Sequence, residues 1–301
     1  MMKRLGLIGL AGLTLCFIPG AAPARADELT VNSLVDRMVA ARNAGKWGEV
    51  MAIGDQVLAR SDASKAIRAQ VKLCRVDSLA ALGNPPEKVA EEFAKLGVDG
   101  DFTASPYWAI NLRLDESQYL CGRDGFEEKG IKVADDGIAL IKKAMEISTN
   151  KPDNGLWDRL FLTLRSKIVA LRALDRQEDA AASVYSAFKE ADSAGVALNY
   201  NNVFVQLNAA QYFLKMSDRD KYLESAALAL SLVSRTRNSG EVKKALDRFS
   251  VIDLPEAKVS ASPGTSAKLK EALLAVARIP FQDKGSAAAV IEQAKALAEK
   301  F

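Results

Sequence analysis

From residue 27 onward, apolar residues recur every three or four positions almost without interruption, as they do along the buried stripe of a helix. Leu34, Val35, Met38 and Val39 mark a first helix, ended by Asn43-Ala44-Gly45, and Trp47, Val50, Ile53, Val57 and Leu58 mark a second. Ile67, Val71, Cys74, Leu79 and Leu82 mark a third, stopped by Gly83-Asn84-Pro85-Pro86. A fourth runs through Val89, Ala90, Phe93 and Leu96, before a loop over 97–101. The same rhythm predicts helices over 107–121, 127–147, 156–174, 178–194, 198–216, 218–234 and 240–249. Two Ala-rich helices follow over 267–278 and 286–301. The strand-like pattern is confined to short runs such as Phe249-Ser250-Val251-Ile252. The expected fold class is all-α, with antiparallel helix pairs stacked as a solenoid, because one short helix pair has too little apolar area to fold alone. The expected organisation is a leader over 1–26, a repeat domain over 27–250, a Pro/Ser/Gly-rich link over 251–266 and a C-terminal helical pair over 267–301.

The turns between paired helices are similar to one another. Ala41-Arg42-Asn43-Ala44-Gly45-Lys46-Trp47 leads to Val50, and Ala80-Ala81-Leu82-Gly83-Asn84-Pro85-Pro86 leads to Val89 and Phe93. Arg172-Ala173-Leu174-Asp175-Arg176 leads to Ala181 and Tyr185, and Leu214-Lys215-Met216-Ser217-Asp218 leads to Tyr222 and Ser225. This pattern resembles the tetratricopeptide repeat family at its helix-helix turn, which has a Gly in the turn, an aromatic two residues on and a small residue three later. Gly45, Trp47 and Val50 match that spacing best, Arg176 stands for the Gly in the third unit, and the segment 101–151 departs from the pattern. Gly45 to Gly83 is 38 positions and Arg176 to Asp220 is 44, both beyond the family's period of about 34.

The first residues carry an export pattern. Lys3 and Arg4 precede an apolar run over 5–18, Pro19-Gly20 breaks it, and Ala24-Arg25-Ala26 offers a small-x-small cleavage site before Asp27. That run is shorter than the roughly 20 residues a spanning helix needs, so the expectation is a periplasmic or secreted protein cut after Ala26, with no transmembrane span in the mature chain. The alternative is a lipoprotein anchored through Cys16, against which stands the bulky Leu15. The leader holds three of the 41 basic residues (Lys3, Arg4, Arg25) and no acid, which leaves 38 bases against 38 acids. A neutral mature chain gives no electrostatic argument for nucleic acid. For Cys74 and Cys121, a disulfide in an oxidising compartment and two separately buried thiols are the two readings.

The chain has no histidine, which excludes the Ser-His-Asp triad, the Cys-His pair and imidazole-ligated zinc. Asp99-Gly100-Asp101 lacks the further oxygen ligands of a helix-loop-helix calcium site and reads as a turn. The acid pairs Glu91-Glu92, Asp115-Glu116, Glu127-Glu128 and Asp135-Asp136 read as solvated helix faces, since neighbouring helix residues diverge by about 100°. There is no Gly-x-x-x-x-Gly-Lys phosphate loop, and Arg235-Thr236-Arg237 and Lys243-Lys244 are short basic runs bordered by acids. No metal or cofactor is implied.

One helix stands apart. Asn199, Asn201, Asn202, Gln206, Asn208 and Gln211 crowd 198–216, and Asn201, Asn208, Tyr212 and Lys215 fall along one face. Amides with a Tyr and a Lys suit an extended peptide, whose backbone needs donors and acceptors; a polar outer face or an amide network between helices is the other reading. The resemblance implies that the first helix of each pair lines a groove, with Trp108 and Asn111 as a weaker counterpart in an earlier helix. The expected function is therefore non-catalytic binding of a protein or peptide partner in the cell envelope. A peptidoglycan-associated enzyme or its accessory domain, and a lipid-anchored scaffold, are the alternatives.

Overall fold

The computed structural model describes residues 30–251 and 262–301. The expected leader with Cys16 and the link over 252–261 lie outside the described residues. The chain forms α1 (Val31–Asn43), α2 (Trp47–Leu58), α3 (Lys65–Ala81), α4 (Pro86–Gly97), α5 (Gly100–Thr103), α6 (Pro106–Cys121), α7 (Glu127–Ile147) and α8 (Asn154–Ala173). It continues through α9 (Gln177–Ser193), α10 (Tyr200–Ala210), α11 (Tyr212–Lys215), α12 (Arg219–Ser234), α13 (Ser239–Val251), α14 (Pro263–Val276) and α15 (Ala287–Ala298). The fold is all-α, and there is no strand among the described residues.

Local chemistry sets most of the helix starts. Thr30, Ser64, Asp153, Asn199, Asp218 and Ser262 each accept a hydrogen bond from the backbone N–H three residues on. Such a cap is worth about 1 kcal/mol. Pro86, Pro106 and Pro263 occupy first helical positions, where a missing N–H costs nothing. Helix ends follow an equally local rule. Gly45 and Gly83 take left-handed φ angles of 69° and 77°, and the next N–H (Lys46, Asn84) reaches back to the carbonyls of Ala41 and Leu79.

Asp175 and Ser217 make the same closure without glycine, at φ 58° and 60°, and the N–H groups of Arg176 and Asp218 reach back to Leu171 and Phe213. Asp175, not Arg176, is therefore the counterpart of Gly45. Arg176 lies one residue past that position, which backbone hydrogen bonds set here without a glycine to mark it.

Three further elements differ from expectation. The helix expected over 198–216 breaks at Gln211 into α10 and α11, and there Leu214 N–H bonds to the Gln211 carbonyl three residues back. This turn lets α11 seat Phe213 edge-on against Tyr185 of α9, with ring centres 6.1 Å apart. Asp99 caps the short α5 instead of lying in a plain turn. The strand-like run enters α13 as far as Val251, and α14 begins at Pro263, inside the expected link.

The helices pack in two rows. Along one, α3 touches α6, α6 touches α8, α8 touches α10, α10 touches α13 and α13 touches α15; along the other, α9 touches α12 and α12 touches α14. Successive members of a row are tied by polar bridges between residues far apart in sequence. In the first row these are Asn111–Arg159, Asp158–Asn202, Asn208–Arg248 and Asp247–Gln293, and Arg42–Asp77 ties α1 to α3. In the second they are Tyr185–Glu224 and Glu224–Lys268, and Lys142–Glu190 ties α7 to α9. A continuous apolar cluster reaches from Ile110 to Ala298, so α14 and α15 share their core with the helices before them. The helices before α6 bury smaller separate clusters around Met38 and around Phe93. At Gly130, a Cβ would stand 2.7 Å from the backbone N and the Sγ of Cys121, so only glycine lets α7 approach the end of α6 so closely.

Cys74 and Cys121 are free and buried. They belong to different apolar clusters, Cys74 among α1–α3 and Cys121 with the long core. The disulfide reading is thus corrected to two separate thiols. Burial pushes each thiol up to about 12, which keeps both protonated and poorly nucleophilic.

Candidate inner-row binding site

The residues singled out from the sequence divide into three groups. Asn208, Tyr212 and Lys215 line one small cavity of about 90 Å³, together with Arg172, Gln177, Ala180, Ala209 and Gln211. Arg172 comes from the last turn of α8 and Gln177 opens α9, whereas Asn208 ends α10 and Tyr212 and Lys215 lie on α11. The break at Gln211 places the amide, phenol and ammonium around one opening. Asn201 is exposed on α10 and does not line this cavity. Trp108 and Asn111 are on α6, outside it: Trp108 packs half-buried beside the Phe93 cluster and edge-on to Tyr107. Asn111 is buried, and its Oδ1 accepts from Arg159 Nε at 3.1 Å.

The other amides are used within the fold. Asn199 caps α10, and Asn202 donates to Asp158 at 2.6 Å; the side chain of Gln206 lies outside the described residues. Arg248 Nη2 donates to Asn208 Oδ1 at 2.7 Å, and the guanidinium lies 5.2 Å from the centre of the Phe204 ring. The interhelical amide network is therefore real, and Asn208 both belongs to it and faces the cavity.

Gln211 was among the amides the sequence drew attention to, whereas Arg172 and Gln177 were not. Their signal was weak, because each sits at a helix end and only the approach of α8, α9 and α11 brings them together. A second, open cavity of about 580 Å³ lies between α7 and α9, with Met145 and Trp157 in its lining and the Lys142–Glu190 pair beside them. A third, of about 240 Å³, has Lys189, Asp192, Glu224 and Lys268 around Ala227 and Leu228.

Asp99 and Asp101 are held by Lys72, and Asp101 also by Arg68, so cationic side chains occupy the oxygens a calcium ion would need. No cluster of three or more metal-ligating side chains exists among the described residues. Of the acid pairs, Glu92 meets Lys95, Glu116 meets Arg113, Glu128 meets Arg176 and Asp135 meets Lys167. Asp115 differs: its Oδ2 is buried without a hydrogen-bond partner. Burial and the nearby Asp77 raise its affinity for a proton, against the pull of Arg42. Neither Asp115 nor Asp77 lines any of the three cavities.

No helix among the described residues is long and apolar enough to cross a membrane. Comparison with protein-family models, curated proteins and solved structures gives no match for this chain.

Proposed function

We propose that this is an exported, non-catalytic helical-repeat protein that binds a protein or peptide partner in the cell envelope. The observation that carries the reading is the convergence of Asn208, Tyr212 and Lys215, with Gln177 and Gln211, on one opening along a row of stacked helices. Side-chain amides can both donate to and accept from a peptide backbone, and a phenol adds an apolar face with a polar tip. The neighbour-by-neighbour packing supports a solenoid, whose rows present extended surfaces instead of one deep pocket. The leader pattern with Ala24-Arg25-Ala26 supports export.

Crosslinking and capture from cells, compared with the Asn208→Ala and Tyr212→Ala variants, tests the binding surface. Loss of the same partner in both variants, with helicity by circular dichroism unchanged, is the expected result; retention by both overturns the assignment. Mass spectrometry of the mature N-terminus is expected to find Asp27, whereas a lipidated Cys16 overturns the soluble form. Release of muropeptides by the purified protein overturns the non-catalytic reading.

A further inference from the structure

The charges around this cavity do not cancel. Arg172 and Lys215 are exposed at its rim and have no acidic partner among the described residues. Behind it, Arg248 touches no carboxylate among the described residues, and its Nε is buried without a hydrogen-bond partner. Two cations therefore line one opening, and a third stands behind its Asn208.

Arg248 also decides how Asn208 is used. A guanidinium only donates, so it must face the amide oxygen, which leaves the Asn208 NH₂ free to donate. At the same opening α9 begins with Arg176 as its cap residue, and no side chain caps its first N–H groups. Uncapped N–H groups at a helix start favour a negative partner. Of the two acids in that first turn, Asp179 is already held by Arg176, and Glu178 acts on Lys221. The lining thus brings two cations, an amide NH₂ and a phenol to one opening beside the start of α9, while Gln177 donates to Asp175 and leaves its oxygen to accept from a peptide N–H.

We propose that this cavity takes the carboxylate of an acidic residue from the bound peptide, with Arg172 and Lys215 supplying charge, Asn208 a directed donor and Arg248 the positioning of Asn208. The inference rests on the peptide-binding reading above and names the chemistry of its ligand. A volume of about 90 Å³ corresponds to roughly three water molecules, enough for a carboxylate and its methylene. The surrounding amides suit the flanking peptide backbone better than a free anion.

The test uses the full mature chain, a fluorescein-labelled peptide of alternating Gly and Glu, its Gly/Gln counterpart, and inorganic phosphate as competitor. Fluorescence anisotropy is expected to show the acidic peptide binding about tenfold or more tightly than the neutral one, as suits charge-assisted hydrogen bonds. The Arg172→Gln/Lys215→Gln double variant removes that preference, and Asn208→Asp, which keeps a partner for Arg248 but reverses the polarity, removes it too. Lys284→Gln, at an exposed site elsewhere, leaves it intact. Equal binding of both peptides overturns the acidic assignment while leaving peptide binding standing. Arg172-dependent binding of phosphate with neither peptide bound overturns the peptide as the source of the anion. Binding of no probe overturns this inference, whereas the partner-capture experiment decides the broader reading separately.

Discussion

The two ends of the molecule solve the same packing problem with different materials. From α8 to α15 a single apolar cluster runs through every helix pair, and the polar bridges between row neighbours involve amides as much as charges. From α1 to α6 the apolar surface is divided into smaller clusters, and buried or half-buried charges join the helices. Arg42 reaches from α1 to Asp77 on α3, and Arg68 and Lys72 on α3 reach to Asp101 on α5. A row of helices can be continuous in space without being uniform in what holds it. The N-terminal region joins separate apolar clusters through buried and half-buried charges, whereas the C-terminal region shares one core, so the two should respond differently to mutation and to pH.

The largest effect is expected from emptying the cores. Phe188 is 0% exposed and stacks on Phe161, with ring centres 5.9 Å apart. Phe188→Ala should cost about 3–5 kcal/mol and loosen α8 through α12 together, measured as a common loss of amide-exchange protection. Phe93→Ala should cost a similar amount but confine the loss of protection to α3–α6, since its cluster is separate. If Phe93→Ala loosens α12 and α14 as much as α4, the distinction between the regions fails.

Asp101 gives a smaller effect with a pH signature. Its carboxylate is 7% exposed, and the hydrogen bonds from Arg68, with those from Lys72, hold it at about 2 against the opposing pull of burial. A depressed carboxylate contributes stability above its unfolded pKa of about 3.9 and loses it as pH falls toward the folded value. Asp101→Asn should cost about 2–3 kcal/mol at neutral pH, since Arg68 loses its carboxylate and Lys72 keeps only Asp99. Relative to wild type, that cost should shrink as the pH falls from about 4 to 2, in urea titrations across that range.

Asp115 has the opposite sign and the smallest expected effect. Burial, then the neighbouring Asp77, raises its folded pKa well above the ordinary value, against the pull of Arg42; Asp77 itself is also raised by burial. A raised carboxyl contributes most below the unfolded pKa and loses that contribution as pH rises toward the folded one. Asp115→Asn should therefore stabilise the N-terminal helices at neutral pH and flatten the fall in stability above about pH 4. An unchanged melting profile from pH 4 to 8 would show that the pair does not carry the titration assigned to it.

Much of the fold was legible because its causes are local. The 127–147 helix was read to the residue, and of the stripe Ala180, Ala181, Val184, Tyr185 and Phe188 all but the half-buried Tyr185 are buried. Serine, threonine, aspartate and asparagine caps and first-turn prolines also advertise themselves in one dimension. The candidate site was half legible. Asn208, Tyr212 and Lys215 could be placed on one helical face, but Asn201, two turns earlier on α10, is exposed outside the cavity, and Asn111 was grouped by residue type although it is buried against Arg159. Gln177 and Arg172 looked like ordinary helix-end residues.

The sequence by itself determined that this chain is helical, where most helices begin and end, and which faces are apolar, because periodicity, caps and left-handed turns act within a few residues. Only the tertiary structure decided that the two thiols lie apart, that Asp175 and Ser217 close turns without glycine, and that Asp115 is buried near Asp77. It also decided that Arg172, Asn208 and Lys215 share an opening with Arg248 behind them. Those outcomes depend on how helices 40 or so residues apart in the chain approach each other, as the Asn208–Arg248 bridge does, and no local pattern encodes that distance.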